Sequence, residues 1–140
     1  MYLPLWNKVG ELIYRARNED IDVGLFCGTR TFGQQAELYA KGRTLPGEIV
    51  TNAKPGYSWH NYGLAADISF LTKGEWDWTK DFKPLGKLGK ELGLEWGGDW
   101  ENFKDMGHFQ ITHGLHIEEA FRIFGKFNKV EDVWTAVEQK

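Results

Sequence analysis

The chain has 140 residues, with 17 lysines and arginines against 20 aspartates and glutamates and a formal net charge of −3. That length suits a single domain spanning residues 1–140, and 41% hydrophobic with 15% aromatic residues supplies a core, which excludes wholesale disorder. The slightly acidic balance lacks the basic footprint of a nucleic-acid binder, and no apolar stretch approaches the roughly 18 residues that stable membrane insertion requires.

Cys27 is the only cysteine, so no intrachain disulfide forms. Set in the apolar run 23–27, it reads as a small buried hydrophobe rather than a nucleophile. Seven tryptophans and 17 glycines suggest a loop-rich domain with rigid aromatic walls.

In chain order, apolar residues at Trp6, Val9, Leu12, Ile13 and Ala16 predict an amphipathic first helix reaching Arg17. A short buried strand follows at Val23–Cys27. Thr31 is placed to cap a second helix over Phe32–Lys41, which Gly42 ends. Residues 42–58 carry two prolines and three glycines and read as a long loop, a length that is uncommon in compact domains and tends to be functional. In Ala65–Phe70, alternation places Ala66, Ile68 and Phe70 on one face and Ala65, Asp67 and Ser69 on the other. A helix near Pro84–Leu92 would bury Leu85, Leu88 and Leu92 and leave Lys83, Lys87 and Lys90 to solvent. His108–Thr112 alternates again, with His108, Gln110 and Thr112 sharing a face. Both alternating segments read as half-buried strands offering a polar side. Further helices are expected over Ile117–Phe124 and Val130–Val137.

The four histidines are His60, His108, His113 and His116. His60 and Asp67 are seven residues apart, which on a helix is roughly 10 Å, too far for two side chains that must reach within about 2 Å of one ion. Gly63, Ala65 and Ala66 instead suggest a turn entering a strand, along which His60 and Asp67 converge. His108 completes the set if the two strands pair. Two histidines and one carboxylate leave a fourth tetrahedral position for water, the pattern of a catalytic rather than a structural zinc site. Asp105, three residues before His108, is placed to act as general base, its carboxylate ordinarily ionised at neutral pH. Two other readings stand beside this one. His108, His113 and His116 are close enough in sequence to form a rival ligand set, and Asp105 could simply begin the turn at Met106-Gly107. No His-Glu-x-x-His motif is present.

The stretch Ser58-Trp59-His60-Asn61-Tyr62-Gly63-Leu64-Ala65-Ala66-Asp67 resembles the Ser-x-His-x-x-Gly-x-Ala-x-Asp signature of zinc D-alanyl-D-alanine carboxypeptidases and L-alanyl-D-glutamate peptidases. Asp105-Met106-Gly107-His108-Phe109 is similar to the second half of that signature. Gly28-Thr29-Arg30 with Gln35, the run Leu38–Arg43, and Val50–Gly56 are also similar, in the family's order. The resemblance implies an α+β, Hedgehog/DD-peptidase-like fold, a small antiparallel sheet carrying a zinc site and flanked by helices. It implies Zn2+ held by His60, Asp67 and His108, with Asp105 as catalytic base. It implies that Arg30 holds a substrate carboxylate or polarises the scissile carbonyl, for which a planar guanidinium fork is suited. Ser58 and Gln35 would bond the substrate backbone or tie down the loop.

Aspartate rather than glutamate at position 105 looks more like the L-alanyl-D-glutamate endopeptidases, phage endolysins included. The expected activity is thus hydrolysis of the L-Ala–D-Glu bond in the peptidoglycan stem peptide, by a monomer. The alternatives are a D-Ala-D-Ala carboxypeptidase and a non-catalytic, zinc-stabilised wall-binding domain. No separate wall-binding domain is expected after the helical tail, and no signal peptide is expected from the pattern of Met1–Trp6. Synthesis in the cytoplasm and holin-type release to the wall are the corresponding expectations. Trp76, Trp78, Trp96 and Trp100 are expected to be core and cleft wall rather than a glycan platform.

Overall fold

A computed structural model describes residues 1–140. In chain order the elements are α1 (Leu3–Asn18), β1 (Val23–Cys27), α2 (Phe32–Ala40), a 3-10 turn at Trp59–Tyr62, β2 (Ala65–Thr72), β3 (Glu75–Asp77), α3 (Lys83–Glu91), β4 (Glu95–Trp96), a second 3-10 turn at Gly97–Asp99, β5 (His108–Gln110), α4 (Ile117–Phe127) and α5 (Val130–Glu138). These form two compact units, one comprising Met1–Gly28 and Ala65–Ile111, the other Thr29–Leu64 and Thr112–Lys140.

The first unit contains the whole five-stranded antiparallel sheet, ordered β1-β2-β5-β4, with β3 also pairing β2. Helix α1 starts three residues earlier than the apolar spacing predicts, with Pro4 in its first turn, where the missing N–H has no intrahelical partner to lose. The longer helix moves the buried stripe to Leu5, Val9, Leu12 and Ala16, and Trp6 lies 55% exposed. Helix α3 buries Leu85 together with Gly86 and Gly89, while Leu88 and Leu92 are only partly covered. A Cβ at Gly86 would overlap the Trp96 ring on β4, and one at Gly89 the Phe109 ring on β5. Glycine here brings the helix close to the sheet. Lys83, Lys87 and Lys90 face solvent as expected, and Lys90 pairs with Asp99 at 3.0 Å.

The strands differ from expectation in extent, since β2 runs on to Thr72 and β5 ends at Gln110 rather than Thr112, and in burial. Their polar faces are buried: Ser69 has no exposed surface, and His108 and Gln110 are almost fully covered. The reason is that their polar atoms bond one another rather than water. Ser69 Oγ donates to the Asp77 carbonyl, and His108 and Gln110 are 2.7 Å apart.

The second unit is helical and aromatic. Thr31 caps α2 through a capping box with Gln34. Phe32 packs on Phe124 and Tyr62 at ring separations of 5.0 and 6.0 Å, and Tyr57 stacks on Phe121 at 4.7 Å. Trp134 Nε1 donates to the Tyr62 carbonyl at 2.6 Å, tying α5 to the 3-10 turn. The long loop is pinned where it enters that turn. Tyr62 donates its hydroxyl to the Gly56 carbonyl at 2.6 Å, and Gly56 N donates to Asn61 Oδ1 at 3.0 Å. Gly56 has φ +86° and a Cβ there would overlap Phe121, so both backbone and space require glycine.

Candidate metal centre

In the first unit the two alternating segments pair, with Ala65 opposite Gln110, Ala66 opposite Phe109 and Asp67 opposite His108. Directly opposed residues on one face have Cβ atoms about 5 Å apart, so the register alone brings this carboxylate and imidazole together. Asp67 Oδ1 lies 3.1 Å from His108 Nδ1, and Asp105 Oδ2 lies 3.9 Å from the same nitrogen. One ligand atom from each of Asp67, Asp105 and His108 falls within 4.8 Å of the others.

The loop that carries Asp105 is clamped by backbone. Asp105 N donates to the Gly97 carbonyl at 3.1 Å, and His108 N donates to the Asp105 carbonyl at 3.2 Å. Ile68 N donates to the Gly107 carbonyl at 2.8 Å, and a Cβ at Gly107 would meet Ile68 O. The Asp105 carboxylate itself is half exposed, whereas the His108 side chain is 7% exposed. A buried ligand nitrogen beside an exposed carboxylate suits one group to hold an ion and the other to exchange protons with an incoming molecule.

The donor chemistry fits a divalent cation. His108 places Nε2 2.7 Å from the Gln110 side-chain oxygen and Nδ1 3.1 Å from Asp67 Oδ1, so both ring nitrogens face oxygen atoms. With Nδ1 protonated, the ring and the Asp67 carboxylate share a hydrogen bond; with Nδ1 deprotonated, the same two atoms are paired donors for one cation. Two bonds of about 2 Å to one zinc ion, meeting near a tetrahedral angle, span a little over 3 Å.

The second unit organises the other predicted residues. Ser58 caps the 3-10 turn, accepting from His60 N at 3.3 Å, and Gly63 ends it at φ +71°. Arg30 N donates to the His60 carbonyl at 2.9 Å, and Asn61 Nδ2 donates to the Arg30 carbonyl at 3.0 Å. Arg30 and buried His60 are therefore joined through their backbones. Gln35 has no exposed surface; it accepts from Arg30 Nη1 at 2.8 Å and donates to the Ala53 carbonyl at 2.8 Å. Of the two roles left open for Gln35, these bonds are those of a tie between loop and guanidinium. His113 donates Nδ1–H to the Val137 carbonyl at 3.2 Å, and His116 stands at the N-terminus of α4.

Several residues beside the cluster were not read from sequence as part of the site. Cys27 sits opposite Asp67 in the β1–β2 ladder, at a bulge, and is half-buried rather than buried. The Trp100 ring lies 5.1 Å from the His108 ring. Gln110 and Glu95 connect to His108 by side-chain hydrogen bonds. The His108-x-Gln110 spacing was the available signal for Gln110, since strand alternation puts both on one face. Of the tryptophans, Trp96 is buried and Trp100 partly so, but Trp76 and Trp78 are 42% and 47% exposed, both with edges against Phe26.

Residues 51–111, which contain both half-motifs, match the model of a peptidase family described as D-alanyl-D-alanine carboxypeptidase. The resemblance read from the motifs is borne out. The chain is 45% identical over 107 residues to the peptidoglycan L-alanyl-D-glutamate endopeptidase CwlK of Bacillus subtilis (strain 168), a match covering 69% of this chain and 64% of that protein. It is 28% identical over 115 residues to the L-alanyl-D-glutamate peptidase of Listeria phage A118, covering 79% of this chain and 38% of that one. The chain thus spans less than two thirds of the length of either relative. Among solved structures, the vancomycin-resistance D,D-pentapeptidase VanY in complex with Zn(II) superposes with a TM-score of 0.57 at 18% identity, over 91% of this chain and 80% of that one. The LD-carboxypeptidase LdcB gives 0.56 at 18%, over 92% and 65%. These two establish the α+β fold, a small antiparallel sheet with helices, that the motifs implied.

Proposed function

We propose that this chain is a zinc-dependent peptidoglycan endopeptidase that hydrolyses the L-Ala–D-Glu bond of the stem peptide. The observation that carries the reading is the Asp67–His108 pair, a carboxylate oxygen and a ring nitrogen 3.1 Å apart with the exposed Asp105 carboxylate beside them. The relative at 45% identity supports the choice of substrate bond. His60, Asp67 and His108 hold the zinc, and Asp105 serves as base.

Zinc, when bound, supplies Lewis acidity that brings a water's pKa toward neutrality and polarises a carbonyl. Asp105 takes the proton from the attacking water and returns it to the leaving amine of D-Glu, so the carboxylate is regenerated in each turnover. Arg30, its guanidinium held by Gln35, steadies the developing oxyanion or a substrate carboxylate. Ser58 shapes the turn that carries His60. The chain acts as a monomer on the cell wall in a lytic role, as an endolysin does. No helix is long and apolar enough to cross a membrane.

Digestion of purified peptidoglycan tests this. New amino termini on D-Glu are expected; release of terminal D-Ala would instead assign the D-Ala-D-Ala carboxypeptidase activity. Intact muropeptides after incubation with zinc-loaded protein would refute both. Asp105→Asn should lower kcat by about 10²–10⁴-fold while zinc remains equimolar with chain. Undiminished turnover in that variant would show the base to be misassigned.

A further inference from the structure

We propose that Gln110 and Glu95 form a positioning relay that fixes the ring tautomer of His108 and so presents Nδ1 to the metal. The proposal rests on the metal reading above and adds two residues that do not touch the ion.

The relay follows from the β4–β5 ladder. His108 and Gln110 alternate onto one face of β5, and Glu95 is the residue directly opposite Gln110 on β4. His108 Nε2 lies 2.7 Å from Gln110 Oε1, and Gln110 Nε2 donates to Glu95 Oε1 at 3.3 Å. The logic of donors and acceptors then runs in one direction. A carboxylate only accepts, so the amide of Gln110 must turn its NH2 toward Glu95. Its carbonyl is thereby turned toward His108, and a carbonyl also only accepts. The ring nitrogen facing it must carry the hydrogen, which in the neutral ring leaves Nδ1, 3.1 Å from Asp67 Oδ1, as the lone-pair nitrogen.

Burial gives the relay its force. His108 and Gln110 are 6% and 7% exposed, so water does not stand ready to replace a lost partner. The opposite tautomer would set the Nε2 lone pair against the Gln110 oxygen and place a proton where the metal must bind. A reversed Gln110 amide would aim NH2 at an N–H and a carbonyl at a carboxylate. Both faults are costly in a buried site, so ligand orientation is settled before any ion arrives. Partners of this kind typically contribute 10–100-fold to metal affinity.

Nitrogen-15 NMR of the metal-free protein reads the tautomer directly, and chelator competition reads zinc affinity. Wild-type His108 should show the Nε2–H form. Gln110→Leu should lose that preference and weaken zinc binding by about 10–100-fold. The exchanged pair Glu95→Gln/Gln110→Glu restores an acceptor to Nε2–H and a donor to its neighbour. It should keep the tautomer and hold zinc within about threefold of wild type, given that the same bonds are remade. A wild-type ring protonated at Nδ1 would overturn the relay, whether or not the variants fold. So would Gln110→Leu with tautomer and affinity both unchanged, or a folded exchanged pair that has lost the Nε2–H form. Absence of zinc binding by wild type would instead defeat the metal reading itself, so the two failures are distinguishable.

Discussion

Two glycines in the middle of helices should respond to the same substitution with opposite signs. Gly10 lies in α1 with no atom within 4 Å of the position a Cβ would take, whereas a Cβ at Gly89 in α3 would overlap the Phe109 ring. Replacing glycine by alanine inside a helix is worth about 0.5–1 kcal/mol in backbone entropy. At Gly10 nothing opposes that gain. At Gly89 the methyl must displace Phe109, which has no exposed surface and is fixed between His108 and Gln110 on β5. Overpacking a filled core costs about 1–3 kcal/mol, and the severity of this overlap puts Gly89 toward the upper end. The net loss is about 1–2 kcal/mol. At roughly 4 °C per kcal/mol for a chain of this size, Gly10→Ala should raise Tm by about 2–4 °C and Gly89→Ala should lower it by about 4–8 °C. Calorimetry of the two variants beside wild type decides the matter. A Gly89→Ala protein as stable as wild type would mean that α3 does not rest on β5 through this glycine.

Two other positions make separate predictions. Tyr62→Phe removes the donor to the Gly56 carbonyl from a fully buried ring, and urea unfolding should show a loss of about 1–2 kcal/mol; burial, reinforced by Tyr57, already holds that phenol far above the usual tyrosine range, so the hydroxyl remains a donor throughout ordinary alkaline conditions. Asp77 accepts hydrogen bonds from Thr79 and Thr72, which lower its carboxyl to about 2. A carboxylate depressed in the folded state stabilises it above its unfolded pKa and loses that contribution as pH falls through the folded value. The Tm gap between wild type and Asp77→Ala should therefore be constant near neutrality and close between about pH 4 and pH 2; a gap independent of pH would show the charge to be irrelevant.

Much of the candidate metal centre was legible because it depends on period-two alternation. Asp67 and His108 each occupy the polar face of a strand, and once the strands pair, opposition follows from register. The Thr31 cap and the turn at Gly63 were legible from residue type alone, whereas the return bond from Gln34 to the Thr31 backbone and the end of α2 at Ala40 were not. What else escaped was non-local. Strand β4 has two residues and no periodicity to detect, so nothing in the sequence placed Glu95 opposite Gln110. The glycine face of α3 was read through its leucines, because a helix's apolar moment ignores residues whose contribution is the absence of a side chain. Exposed Trp6 and buried Leu5 exchanged places because helix starts are set by chain entry as well as by spacing. The link from Arg30 to His60 uses backbone atoms, which every residue possesses and no motif displays.

The division between strand and loop carries a functional argument. His108 is held on three sides: by the ladder to β2, by Phe109 under α3, and by Gln110 at its Nε2. Asp105 is three residues away, on a segment whose backbone is anchored at Gly97 but whose carboxylate faces solvent. Ligand atoms must hold an ion within tenths of an ångström, and they gain from immobility. A proton carrier must meet first a water and then a leaving amine, which occupy different places. It gains from a fixed root and a mobile end. Glycine at 97 serves that arrangement: a Cβ there would press on the Asp105 carbonyl and the His108 Cβ together, so the close approach that anchors the proposed base also fixes its distance from the proposed ligand.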